Sequence, residues 1–201
     1  MGKLREIGMY SEYLPPTRKA DIYIVMIRSI MLYASECTCY NLNQKAKLKR
    51  CESIAVKQAI GIYKYCHHSE IFSALKIDDL GDRLDISKLS FFIRLLDNTY
   101  TNEIVTNVIS ALPKPRLRYD RKSSVTEEVL NIIGLPYDET IEGYNWDETI
   151  VRELCNARIN ELKQRSEKLK MSRPTELTRQ LLSLPHKQMV NQINRIFMAF
   201  E

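Results

Sequence analysis

Apolar positions along this chain recur with helical rather than strand spacing. The first apolar run, Ile22 to Ala34, covers thirteen residues and is interrupted by Arg28 and Ser29. Ile22, Val25, Met26, Ser29, Ile30 and Tyr33 share one helical side, while Ile24, Ile27, Met31 and Leu32 fill the others. A helix apolar nearly all round is predicted to be enclosed by neighbours. It should begin after Pro15-Pro16, a barrier to helix. Thirteen residues is long for a strand and short of the ~20 that a membrane span needs.

A second helix is predicted from about Asn43 to Ile60, closed by Gly61. Its apolar stripe is Leu48, Cys51, Ala55, Ala59 and Ile62. Arg50 and Lys57 fall one heptad apart on the opposite face, with Lys49 on the flank. A short helix from Glu70 to Leu75, capped by Ser69, leads to a third long helix. There Ile86, Leu89, Ile93, Leu96 and Tyr100 alternate by three and four. That helix, or a successor, runs through Ile104 and Val108 towards Leu112.

Pro113 and Pro115 break the pattern. A further long helix should start at Asn145 as N-cap, with Asp147 and Glu148 in its first turn. It should end near Lys170, with Trp146, Ile150, Leu154, Ala157 and Leu169 as its apolar contacts. Pro174 ends it, and a last helix from Thr175 is interrupted at Pro185. The predicted fold is all-α, an irregular helical bundle with a smaller C-terminal helical part. Residues 1–112 form the first domain, 113–124 a basic linker, and 125–201 the C-terminal region.

Length and composition fit that picture. The chain has 201 residues, enough to bury a core, and 6 Gly and 7 Pro argue against a sandwich. Its five cysteines, Cys37, Cys39, Cys51, Cys66 and Cys155, make an odd number, and MGKLREIG lacks the apolar core of a secretory leader. The expected compartment is reduced and intracellular, nuclear or cytoplasmic, with the cysteines as small buried residues.

Charge changes the picture more than composition does. The net charge is only +5, but it is unevenly placed. From Asn43 to Lys64, Lys45, Lys47, Lys49, Arg50, Lys57 and Lys64 against Glu52 leave +5. From Pro113 to Ser124, Lys114, Arg116, Arg118, Arg121 and Lys122 against Asp120 leave +4, with Tyr119 among them. Val125 to Glu153 reverses sign, at −7.

The run Ile27-Arg28-Ser29-Ile30-Met31-Leu32-Tyr33-Ala34-Ser35-Glu36 resembles the segment that follows the palm in non-LTR retrotransposon reverse transcriptases. There a helix ends in a Ser-x-Leu-Leu-Tyr-Gly-x-Glu-x-Trp pattern. A basic helix ending in a Leu-Gly-Ile-like turn follows, similar to Lys49 to Ile62 with its Ile60-Gly61-Ile62. A Tyr-and-basic linker, like Tyr63-Lys64-Tyr65, comes next. Then come a small helix, like Ser69 to Leu75, and a Leu-rich helix, like Asp82 to Leu96. Order and spacing agree over about residues 4–110. Ala34 stands where the pattern has Gly, and Cys37-Thr38-Cys39 replaces its apolar-Trp pair.

The resemblance implies a helical thumb and the connector behind it, a part that lies against a template–primer duplex. An apolar helix would be the anchor and a basic helix face would meet phosphates. Contacts of that kind are to backbone and shape rather than to base edges. The expected partner is an RNA–DNA hybrid or single-stranded nucleic acid. The expected contacts are Lys49, Arg50, Lys57, Lys114, Arg116, Arg118 and Arg121, with Tyr119 stacking on an unpaired base.

Catalytic chemistry is not expected. The family's polymerase needs paired metal-binding Asp residues in an apolar hairpin. The only Asp-Asp here, Asp78-Asp79, is followed by Leu80-Gly81 without flanking apolar strands, and reads as a loop capping the next helix. The palm would precede residue 1. No cofactor is expected, and the spacing of Cys37, Cys39, Cys51, Cys66, His67 and His68 does not suit paired zinc knuckles. His186, beside Pro185, reads as a surface histidine. The competing expectation is a helical interaction module whose exposed apolar face takes a protein partner and whose charge is plain solvation. No membrane partner is expected.

Overall fold

The computed structural model describes residues 11, 13–62, 68–110, 125–135 and 147–171. Among them 83% are helical and none is in a strand. The fold is all-α. The chain separates into two compact units. Of the described residues, the first holds those up to Tyr33, Asn41–Gly81 and those from Ser166 on; the second holds Ala34–Tyr40 and Asp82–Arg165. The predicted linker, 113–124, lies outside the described residues, as does everything from 172 on.

The first unit begins with α1 (Pro16–Ile22), where Pro16 sits at the first helical position and Pro15 is the extended cap. A proline there loses no bond, since that N–H has no helical partner. The chain continues through a π-helical segment, Tyr23–Arg28, into α2 (Ser29–Leu32). Then come α3 (Leu42–Ile60) and α4 (His68–Ala74). Ala20, Tyr23, Val56, Ala59, Ile60, Ile62, Ile71, Phe72, Leu75 and Ile77 make its core.

The first helical run is not enclosed as its composition suggested. Val25, Met26, Ile30 and Tyr33 are exposed, while Arg28 and Lys19 are buried. The chain turns this face outward because Arg28 has carboxylates waiting inside, described below. Ala34 ends the run in the left-handed region, at φ 55°. That backbone costs a residue with a Cβ roughly 1–2 kcal/mol, which glycine avoids. Ala34→Gly is therefore expected to raise the unfolding free energy by about 0.5–1 kcal/mol, net of glycine's greater freedom when unfolded. Urea denaturation checks it; a loss of stability would contradict it.

α3 is well delimited at both ends. Asn41 Oδ1 accepts from the Gln44 N–H (2.8 Å) and Gln44 Oε1 accepts from the Asn41 N–H (2.9 Å), a reciprocal capping box. Gly61, at φ 81°, closes the other end, with the Ile62 N–H on the Lys57 carbonyl at 2.9 Å. The predicted stripe is displaced, however. Glu52, Val56, Lys57, Ala59 and Ile60 are buried, whereas Cys51 is exposed.

The second unit contains α5 (Leu80–Asp97) from Asp82 on, α6 (Thr99–Ser110), α7 (Val125–Ile132) and α8 (Glu148–Met171) up to Arg165. Asn98 Oδ1 accepts from the Tyr100 N–H at 3.1 Å, capping α6. Leu89, Phe92, Leu96, Val105, Val129, Val151, Cys155, Ile159 and Leu162 form its core. Lys88 is buried here, paired with Glu128 and donating to the Thr38 carbonyl at 2.9 Å, with its ammonium over the Tyr40 ring. Burial pushes the Cys155 thiol up to about 11.

α8 starts later than expected. Asp147 Oδ1 accepts from the Thr149 N–H at 2.9 Å and caps it; Asn145, the expected cap, and Trp146 lie outside the described residues. Its buried side is Val151, Cys155, Ile159 and Leu162 rather than the predicted Ile150, Leu154 and Ala157. Ile150, Ala157 and Leu169 are exposed. Cys37 and Cys51 are exposed as well, so burial holds for Cys155 and not for the cysteines as a class.

Candidate nucleic-acid interface

The rotation of α3 about its axis is fixed from inside the first unit. Glu52 is buried, and two groups from the Tyr23–Arg28 segment close on the same carboxylate oxygen. Tyr23 Oη donates to Glu52 Oε1 at 3.0 Å, and Arg28 Nε pairs with it at 3.1 Å. Arg28, 3% exposed, also pairs with Asp78 through Nη1 and donates from Nη2 to the Asp78 carbonyl at 2.6 Å. One guanidinium thus serves two carboxylates and a carbonyl from two residues far apart in the sequence, Glu52 and Asp78.

This clasp shifts protonation equilibria. Burial pushes the Glu52 carboxyl above its ordinary range, opposed by the Arg28 charge and the Tyr23 hydrogen bond. Burial, reinforced by the Glu52 charge, raises the Tyr23 phenol far above its usual value. Because folding raises the Glu52 pKa, the folded chain holds its proton more tightly than the unfolded chain does. Its contribution to stability is complete below the ordinary carboxylate range and is lost as pH climbs through the raised value. Relative to a Glu52→Gln chain, the native chain is expected to lose unfolding free energy as pH rises from about 4 to 7. Denaturation of both at several pH values tests the sign, and a gain over that window would contradict it.

With Glu52 held inward, Lys47 and Arg50 lie on the exposed side of α3, three residues apart on one face. Lys49 is also exposed, but its ammonium is held by Asp79, 2.9 and 3.0 Å from the two carboxylate oxygens. Asp79 in turn accepts from the Gly81 N–H at 2.7 Å, so both acids of the Asp-Asp pair are engaged: Asp78 holds Arg28, and Asp79 holds Lys49 and the start of α5.

The expected contact residues thus fare differently. Arg50 is open to water. Lys49 is open but paired. Lys57 is 6% exposed and faces the interior, which corrects its expected place beside Arg50. The register of α3 turns one position from the apolar stripe that the sequence suggested, and that turn carries Lys57 inside. Lys114, Arg116, Arg118, Tyr119 and Arg121 lie outside the described residues. Lys47 was not among the expected contacts, although its spacing from Arg50 was visible in the sequence.

Lys45, Lys47, Lys49 and Arg50 occupy the first half of α3, and no acid stands in its first turn. A helix start carries partial positive charge that fades within the first turn, so it adds to the field at Lys45 and little at Lys47 or Arg50. The result is a concentrated positive field at one end of one helix.

Among the described residues no three His, Cys, Asp or Glu side chains gather as a metal site. No described helix is long and apolar enough to cross a membrane. No family model, curated protein or solved structure matches the chain.

Proposed function

We propose that this chain is a non-catalytic, thumb-like part of a retrotransposon reverse transcriptase that binds template–primer nucleic acid through its phosphate backbone. The observation that carries the reading is the exposed Lys47–Arg50 face on the N-terminal half of α3. Flexible cations on a rigid helix suit phosphates, whose spacing they can follow without reading bases. The left-handed backbone at Ala34 adds support, since the resembled pattern has glycine there. Polymerisation would fall to a palm encoded elsewhere.

An electrophoretic mobility shift with an RNA–DNA hybrid tests it. Retardation is expected at about 50 mM salt and is expected to weaken at least about tenfold by about 200 mM, as counterion release from two phosphate contacts requires. No binding at the lower concentration, or binding indifferent to salt, would contradict the reading.

One observation favours a second reading, a helical protein-interaction module. Val25, Met26, Ile30 and Tyr33 leave an apolar ridge on the first helical run exposed to water. That reading expects self-association or a co-purifying protein on gel filtration, and a clean monomer that binds hybrid would count against it.

A further inference from the structure

Residues five apart on an α-helix point about 140° away from each other. Tyr23 and Arg28 are five apart, yet both reach Glu52 Oε1, at 3.0 and 3.1 Å. The segment between them is π-helical. A π-turn bonds i to i+5 and stacks residues five apart, as an α-helix stacks residues four apart. One extra residue in the turn is therefore what brings phenol and guanidinium onto one face.

Ser29 seals the far end. Its hydroxyl donates to the Val25 carbonyl at 2.7 Å, where the bonding pattern returns to α and regular acceptors change partner. Inside the segment, Ile24 and Ile27 pack on the core while Val25 and Met26 stand outside it. The surplus residue is thus accommodated on the solvent side, and the core side keeps its contacts.

We propose that Tyr23–Arg28 is a register device: a helix carrying one inserted residue, locked as a π-turn by Glu52 of α3, and able to pass the insertion towards Tyr33 when the lock opens. In the locked register Ile30 and Tyr33 face water, 76% and 85% exposed. Moving the insertion past Arg28 turns Ser29–Leu32 by about 100° and carries Ile30 off that face. The apolar ridge then presents a different set of side chains. This inference stands whether or not α3 binds nucleic acid.

Deletion of Val25 from the full chain is the first test. It leaves Tyr23 and Arg28 four apart, so an ordinary α-helix closes the same clasp. The expected result is cooperative thermal unfolding with a midpoint within about 5 °C of the parent. Deleting Ile54 from α3 instead throws Glu52 and Val56 out of register and is expected to abolish cooperative unfolding. If removing Val25 lowers the midpoint by more than that margin, or abolishes the transition, the proposal is overturned.

The lock is tested separately by amide hydrogen exchange. Glu52→Gln in the parent is expected to speed exchange at Arg28 and Ser29, relative to Val56–Ile60, on the order of tenfold. In the Val25-deleted chain, which has no second register, the same substitution is expected to leave that ratio within about twofold. Equal speeding in both chains would overturn the proposal.

Discussion

Replacing Arg28 by Met is expected to lower the unfolding free energy by about 3–5 kcal/mol, the usual cost of removing one partner from a buried ion pair. The side chains are similar in volume, so packing is largely kept and the loss is mainly electrostatic. Glu52 and Asp78 are left facing each other's charge with no cation between them. Glu52 can escape part of this by keeping a proton, since the Arg28 charge is what opposes the effect of burial on it. The penalty is therefore expected to be larger at pH 7 than at pH 5. A double replacement, Arg28→Met with Glu52→Leu, should recover part of the loss, because a matched apolar pair needs no compensation. Urea denaturation of the three chains checks the series. A single replacement costing less than about 1 kcal/mol would mean that the clasp does not organise the unit.

The second large effect is on binding. Reversing two charges, Lys47→Glu with Arg50→Glu, is expected to weaken hybrid binding on the order of 100-fold at low salt, taking about 1.5 kcal/mol for each lost charged contact. Stability should change little, since both side chains are exposed. Lys57→Met provides the contrast. That residue is buried, so its replacement should alter the unfolding midpoint and leave the affinity of the folded chain within about twofold. Affinity titrations with labelled hybrid read both. Equal losses from the exposed pair and from Lys57 would point to a folding defect rather than to an interface.

Element positions were largely legible in the sequence. Gly61 ends α3 where a left-handed cap was expected, and Asn43 to Ile60 is within a residue of Leu42–Ile60. The amphipathic spacing from Ile86 to Leu96 identified α5, with Leu89 and Leu96 in its core. Facing was harder. Reading α3 outward from its charges placed Cys51 inside and Lys57 outside, because a lone Glu among bases looks solvated. Glu52 is buried only because Tyr23, 29 residues earlier, and Arg28 meet it there.

The first helical run defeated periodicity for a related reason. Its π-turn breaks the 3.6-residue repeat, and Arg28 finds Asp78 fifty residues downstream. No local pattern encodes a partner at that distance. A single Arg in an apolar run was the available signal, since an isolated guanidinium there must either reach water or find carboxylates. In α8 the error in facing had the same origin. Ile150 and Val151 are adjacent and equally apolar, and only packing partners decide which one is buried.

The salt dependence of hybrid affinity, measured for the native chain and for Lys47→Gln with Arg50→Gln, bears most directly on the proposed interface. If these two side chains sit on phosphates, the slope of log affinity against log salt should flatten by about 2 in the double variant, one for each contact removed. An unchanged slope, with the variant folded as the native chain is, would place the nucleic acid elsewhere and contradict the account.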